Sequence, residues 1–120
     1  MTSILIVDDA RSMRLILKEI LVSAIPSVHV LEAVDSASAV KMYNQEKPDL
    51  VTMDINLPKI DGITCMKRIL KINPHAKVVM ISAIDQSNIM DKAINSGAIG
   101  YITKPFDFVS VGNKIKELLE

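Results

Sequence analysis

The residues able to do chemistry together lie far apart along the chain: Asp8-Asp9, Asp54, Ser82 and Lys104. Each stands at the end of a short apolar stretch. Brought within a few ångströms, three carboxylates would repel, each raising the others' pKa unless a cation neutralised them. A compact set of oxygen ligands without convergent His or Cys suits a hard cation. Mg²⁺, for which Mn²⁺ can substitute, takes one or two carboxylates, keeps several waters and completes its octahedron with phosphate oxygens. Zinc fits poorly, because His29 and His75 are far apart and Cys65 falls in a helical pattern. Carboxylates can attack phosphorus to give an aspartyl phosphate. Such transfer depends on in-line placement and on charge neutralisation at the equatorial oxygens. Lys104 would supply one positive charge, Ser82 Oγ a hydrogen bond, and backbone N–H groups after Asp54 further donors. Asp54 is the candidate nucleophile.

Positioning these groups requires alternating strands and helices, and two periodicities do alternate from end to end. Ile4–Val7 is a β-branched run, the mark of a strand covered on both faces. Met13, Ile16, Leu17, Ile20, Leu21 and Ala24 recur at helical spacing until Pro26 forbids continuation. A second strand is predicted over Val28–Ala33. A helix capped by Ser36 follows, with Ala39, Val40 and Tyr43 inward. The third strand spans Asp49–Asp54. A loop with Pro58 and Gly62 leads to a helix burying Ile63, Met66, Ile69 and Leu70, closed by Asn73-Pro74. Lys77–Ser82 is the fourth strand. Asp85 begins a helix with Ile89, Met90, Ala93 and Ile94 inward, and Gly97 suits a left-handed residue at its end. Ile99–Thr103 is the fifth strand. Asp107 caps a last helix burying Phe108, Val111, Ile115 and Leu118. Strict alternation implies an α/β fold, a parallel sheet with helices on both faces.

In such doubly wound sheets ligands bind beyond the carboxyl ends of the strands, where strand order reverses. With the order 2-1-3-4-5 the first and third strands would be neighbours and the three acids would converge. Taken singly, each group has an ordinary structural role. Asp8-Asp9 can cap a helix, Asp54 can form a turn, Ser82 can bond its own backbone, and Tyr101 can be core. All of these would have to hold together at one end of one sheet.

Composition narrows the classes further. The 120 residues suit one domain. Net charge is zero and the basic residues are dispersed, which argues against a nucleic-acid groove or an anionic membrane as partner. The N-terminus lacks a basic signal-peptide region, and no apolar run approaches the ~20 residues that span a bilayer. A soluble, cytoplasmic domain without membrane insertion is predicted. Cys65 cannot form an internal disulfide and reads as a small buried hydrophobe.

Four motifs, Asp8-Asp9 after Ile-Leu-Ile-Val, Asp54-Ile-Asn-Leu-Pro-Lys-Ile-Asp-Gly, Ser82-Ala83 and Lys104-Pro105-Phe106, closely resemble the receiver domains of two-component response regulators. The likeness covers essentially the whole chain, as a single receiver domain over 1–120 with no output domain. It implies the flavodoxin-like (βα)5 fold with order 2-1-3-4-5. It also implies that Asp54 accepts phosphate from a histidine kinase. Asp9 and Asp54 would ligate Mg²⁺, with Asn56 giving its backbone carbonyl and Asp8 acting through water. Lys104 would contact the phosphoryl oxygens, Ser82 would be the switch hydroxyl and Tyr101 the aromatic switch. The Lys104-Pro105 bond would be cis.

Output would come from a partner docking on the fourth helix, fifth strand and fifth helix. A motor or adaptor component in chemotaxis is the expected target, and the chain is expected to be a monomer. A phosphorelay intermediate is an alternative role. Two departures from family usage stand out. Ser36 replaces a common glycine. Ile84 is apolar where many members are polar, and on that ground is expected to slow dephosphorylation.

Two rivals remain. A phosphatase of the haloacid-dehalogenase type shares a strand-end Asp, Mg²⁺, a hydroxyl and a Lys. It would want a second acid where this chain has Asn56, its nucleophile on the first strand, and a cap domain. A receiver used only for docking would lack some of the residues that are all present here.

Overall fold

The computed structural model describes residues 1–83 and 86–120. Strands and helices alternate in the order β1 (Ser3–Val7), α1 (Arg11–Ala24), β2 (His29–Ala33), α2 (Ser36–Glu46), β3 (Leu50–Asp54), α3 (Gly62–Ile72), β4 (Val78–Ala83), α4 (Ser87–Asn95), β5 (Gly100–Lys104) and α5 (Phe108–Leu119). The five strands form one parallel sheet in the order β2-β1-β3-β4-β5, as the resemblance implied. Strand order reverses between β1 and β3, whose residues pair Ile4 with Leu50 through Val7 with Met53.

Alternation within the strands divides the core in two. Leu5, Val7, Val51, Met53, Val78 and Met80 point to one face, where α2, α3 and α4 contribute Ala39, Tyr43, Met66, Ile69, Met90 and Ala93. Ile4, Ile6, Leu50, Val79, Ile81 and Ile102 point to the other, against Leu17, Ile20, Leu21, Val111 and Ile115 of α1 and α5. Both faces are covered, so the central strands read as unbroken apolar runs.

Several details differ from the sequence reading. The cap of α2 is Asp35, whose carboxylate accepts from Ser38 N at 2.8 Å while the Ser38 hydroxyl accepts in return from the Asp35 N–H. Ser36 is instead the first helical residue and is buried. An Asp three residues ahead of a Ser makes a reciprocal box that Ser36 cannot. Ile16, Ile94 and Phe108 were expected to face inward and are exposed. Each lies beside the buried stripe: Leu17 and Ala93 take the adjoining interior positions, and Phe108 opens α5 at the rim. The predicted start of α4 at Asp85 lies outside the described residues, and its N-cap is Gln86. Gly97 does end α4 with positive φ (121°). There Ala98 N bonds Ala93 O and Gly97 N bonds Ile94 O, the pairing of a Schellman turn.

Gly62 is required for a different reason. A Cβ there would lie 2.1 Å from the Asp54 carbonyl oxygen and 2.9 Å from Ile55 Cα, because the start of α3 packs directly on the end of β3. Gly62 N also donates to Ile55 O at 2.8 Å. Gly62→Ala is therefore expected to lower unfolding free energy by about 3 kcal/mol, the upper range of overpacking. A urea midpoint unchanged from wild type would refute this close approach.

Candidate functional site

Beyond the carboxyl ends of the strands the topology gathers the predicted groups. Asp8 and Asp9 follow β1 and Asp54 ends β3, its immediate neighbour. One carboxylate oxygen from each lies within 4.8 Å of the others. Lys104, at the end of β5, sets its Nζ 4.0 Å from Asp54 Oδ2. Asp8 and Asp54 are buried while Asp9 is exposed, so the cluster opens outward on one side.

Local hydrogen bonds hold the acids in place. Ala10 N donates to Asp8 Oδ1 at 2.9 Å, and Asn56 N donates to Asp54 Oδ1 at 3.1 Å. Asp8 N in turn donates to Ala33 O of β2. Among the described residues Asp8 Oδ2 has no hydrogen-bond partner although it is buried. An orphaned buried carboxylate oxygen is costly, and this one belongs to a residue of the acidic cluster. The all-oxygen donor set and this unpaired atom fit Mg²⁺ well.

Burial raises the Asp8 carboxyl above its ordinary pKa, opposed by the Ala10 N–H; the charge of Asp54 raises it further, Lys104 lowers it and Asp9 raises it. Burial likewise pushes the Cys65 thiol up, as suits a core residue.

The remaining predicted residues are more scattered. Ser82 is fully buried on β4, and its hydroxyl donates to the neighbouring Ala83 carbonyl at 3.1 Å. Tyr101 lies on the edge strand β5 and is 44% exposed, with Lys114 Nζ 5.9 Å from its ring centroid. Asn56 lines a cleft beside Asp9, with Leu57, Pro58, Ile89 and Lys92. The Lys104-Pro105 peptide is cis. Ile84 lies outside the described residues. Two groups escaped the sequence reading. Arg14 donates to the Asp8 carbonyl oxygen at 2.8 Å, and Gln86 Oε1 accepts from Ala83 N at 3.0 Å. Neither stands at the carboxyl end of a strand.

A doubly wound α/β protein whose acids meet an ammonium at the topological switch point is built to handle a cation and a phosphoryl group. Comparison with known proteins makes this specific. Residues 4–116 match the response regulator receiver domain profile. The chain is 46% identical over 116 residues to chemotaxis protein CheY of Bacillus subtilis, covering 97% of this chain and 96% of that protein. The receiver domain of NtrX from Brucella abortus superposes with a TM-score of 0.91 at 32% identity, covering 97% of both chains. The CheY of the CheX-CheY-BeF3-Mg²⁺ complex from Borrelia burgdorferi gives 0.90 at 32% identity, covering 99% of this chain and 90% of that one.

The chain belongs to the response regulator receiver domain family. It is a two-component phosphorelay receiver homologous to CheY, and proteins of this class are phosphoacceptor switches rather than turnover enzymes. The phosphatase rival thereby falls. Among the described residues no helix is long and apolar enough to cross a membrane.

The raised Asp8 carboxyl fixes a sign. A carboxyl whose pKa is higher in the folded state contributes stability below its unfolded pKa and loses it as pH rises through the folded value. At neutral pH in Mg²⁺-free buffer, Asp8→Asn is therefore expected to be more stable than wild type, with the gain shrinking as pH falls into the carboxylate range. Urea midpoints measured across pH check this, and a variant less stable than wild type at pH 7 would contradict it.

Proposed function

We propose that this chain accepts a phosphoryl group on Asp54 from the phosphohistidine of a chemotaxis-type histidine kinase and then binds a downstream partner in chemotaxis or motility control. The carrying observation is the meeting of Asp8, Asp9 and Asp54 oxygens within 4.8 Å, with the Lys104 ammonium 4.0 Å from Asp54. The relatives that bear the chemotaxis name support the biological setting. Residues 1–120 act as one receiver unit, monomeric and cytoplasmic.

In this reading Asp54 is the nucleophile: its carboxylate oxygen bonds to phosphorus as the donor's P–N bond breaks and the imidazole leaves. Asp9, Asp54 and the Asn56 backbone carbonyl would hold Mg²⁺, or Mn²⁺ in its place, with Asp8 acting through water. When bound, the ion supplies positive charge against the developing charge on the phosphoryl oxygens. Lys104 exchanges its contact with the Asp54 carboxylate for one with a phosphoryl oxygen. Ser82 gives up the Ala83 carbonyl and donates to the phosphoryl group, and Tyr101 turns inward behind it. Contacts made only with phosphate present then favour one of two packings. The protein thus assists its own phosphorylation and dephosphorylation. Its partner, a motor or adaptor component, docks on α4, β5 and α5, where a cleft is lined by Tyr101, Thr103, Pro105, Ser110 and Lys114.

The test is incubation with acetyl phosphate and Mg²⁺, followed by intact-protein mass spectrometry. A single phosphate adduct is expected on wild type and none on Asp54→Asn or in excess chelator. An adduct that survives the Asp54 substitution would overturn the assignment.

A further inference from the structure

The turn that carries Asp8 and Asp9 leads into a helix with no side-chain cap. The N-cap of α1 is Ala10, which has no side chain able to hold the first helical N–H groups. Arg14, one turn into the helix, reaches back instead. Its Nη1 donates to the Asp8 carbonyl oxygen at 2.8 Å and its Nε to Glu32 Oε1 of β2 at 2.9 Å. The Arg14 side chain is only 14% exposed in this bridge. One planar guanidinium thus ties the end of β1 to the neighbouring strand and to α1, a geometry that arginine provides and lysine does not.

We propose that Arg14 is a positioning residue for the cation site, setting the Asp8-Asp9 turn through the Asp8 carbonyl while Glu32 aims the guanidinium. This rests on the reading of Asp8, Asp9 and Asp54 as cation ligands. An exposed ion pair would by itself contribute little. The bond that matters is the one to the main-chain oxygen between β1 and the acids. Arg14 therefore acts on where the carboxylates stand. Groups that orient metal ligands in this way typically change metal affinity by about 10–100-fold when removed.

The experiment measures Mn²⁺ affinity by electron paramagnetic resonance of the free ion, with Asp9→Asn as the control that loses the site. Arg14→Met is expected to bind Mn²⁺ about tenfold more weakly than wild type. Arg14→Lys, able to make one of the two contacts, should fall between. Because the defect lies in placing the ligands, phosphorylation of Arg14→Met by acetyl phosphate should return to the wild-type extent once Mg²⁺ saturates. The Ala10 amide should exchange faster in the metal-free variant while amides of β4 do not.

Should Arg14→Met fail to fold, Arg14→Lys and Glu32→Gln carry the test, both expected to weaken Mn²⁺ binding by a smaller factor. Wild-type affinity in the folded Arg14 variants, with the site lost in Asp9→Asn, overturns this inference and leaves the cation site standing. A wild-type protein that binds no Mn²⁺ overturns both.

Discussion

Three carboxylates held within 4.8 Å of one another are an unfavourable arrangement, and much of this protein is organised around keeping it. Asp8 and Asp54 are almost wholly buried, so water screens their repulsion poorly. Within the described residues the opposing charge at the cluster is one ammonium, Lys104, itself 30% exposed. The deficit is one positive charge or more. Among the described residues a buried Asp8 oxygen has no hydrogen-bond partner, and the charge deficit gives the site a standing attraction for cations.

Such a cluster survives only on a scaffold that does not yield. β1 and β3 are buried along nearly their whole length and paired on both sides, with aliphatic side chains filling each face. Moving either acid away from the other would break a ladder in the middle of the sheet and open a cavity beneath it. The loop after β3 is fixed as firmly, since α3 starts against the Asp54 carbonyl with no room for a Cβ at Gly62. The strain is concentrated in the electrostatics, while the backbone around it is over-determined.

How legible all this is in the sequence depends on the range of the interaction. The strands, the helices and the left-handed Gly97 follow from periodicity and local sterics, because each is decided within a few residues. Order 2-1-3-4-5 does not follow from periodicity; the resemblance supplied it, and the convergence of the acids depends on it. What escaped was a matter of which neighbour wins. Ser36 and Asp35 are both competent caps, and Ser38 decides in favour of Asp35. Ile16 and Ile94 fit a broad apolar stripe and fall just outside the narrower one that the sheet can cover. Arg14 leaves a trace in the sequence. The positive end of a helix disfavours a cation in the first turn, so two arginines there, Arg11 and Arg14, conflict with the local field. A conflict of that kind points to a partner outside the helix, here the Asp8 carbonyl and Glu32.

The site and the face proposed for output are separated by little more than one strand. In the β4–β5 ladder Ser82 pairs with Thr103, and Met80 pairs with Tyr101 two residues earlier. Ser82 is buried next to the acids' end of the sheet, whereas Tyr101 is exposed on the strand that has no neighbour on its far side. A change in the bonding of the Ser82 hydroxyl therefore meets a rigid boundary towards β3 and a softer one towards β5. The edge strand can adjust with one set of ladder bonds instead of two. Tyr101 is held from outside by the Lys114 ammonium beside its ring, a weak contact at 5.9 Å. Of the two strands beside β4, β5 with its single ladder is the one less constrained by the sheet, and it carries the surface lined by Tyr101 and Lys114.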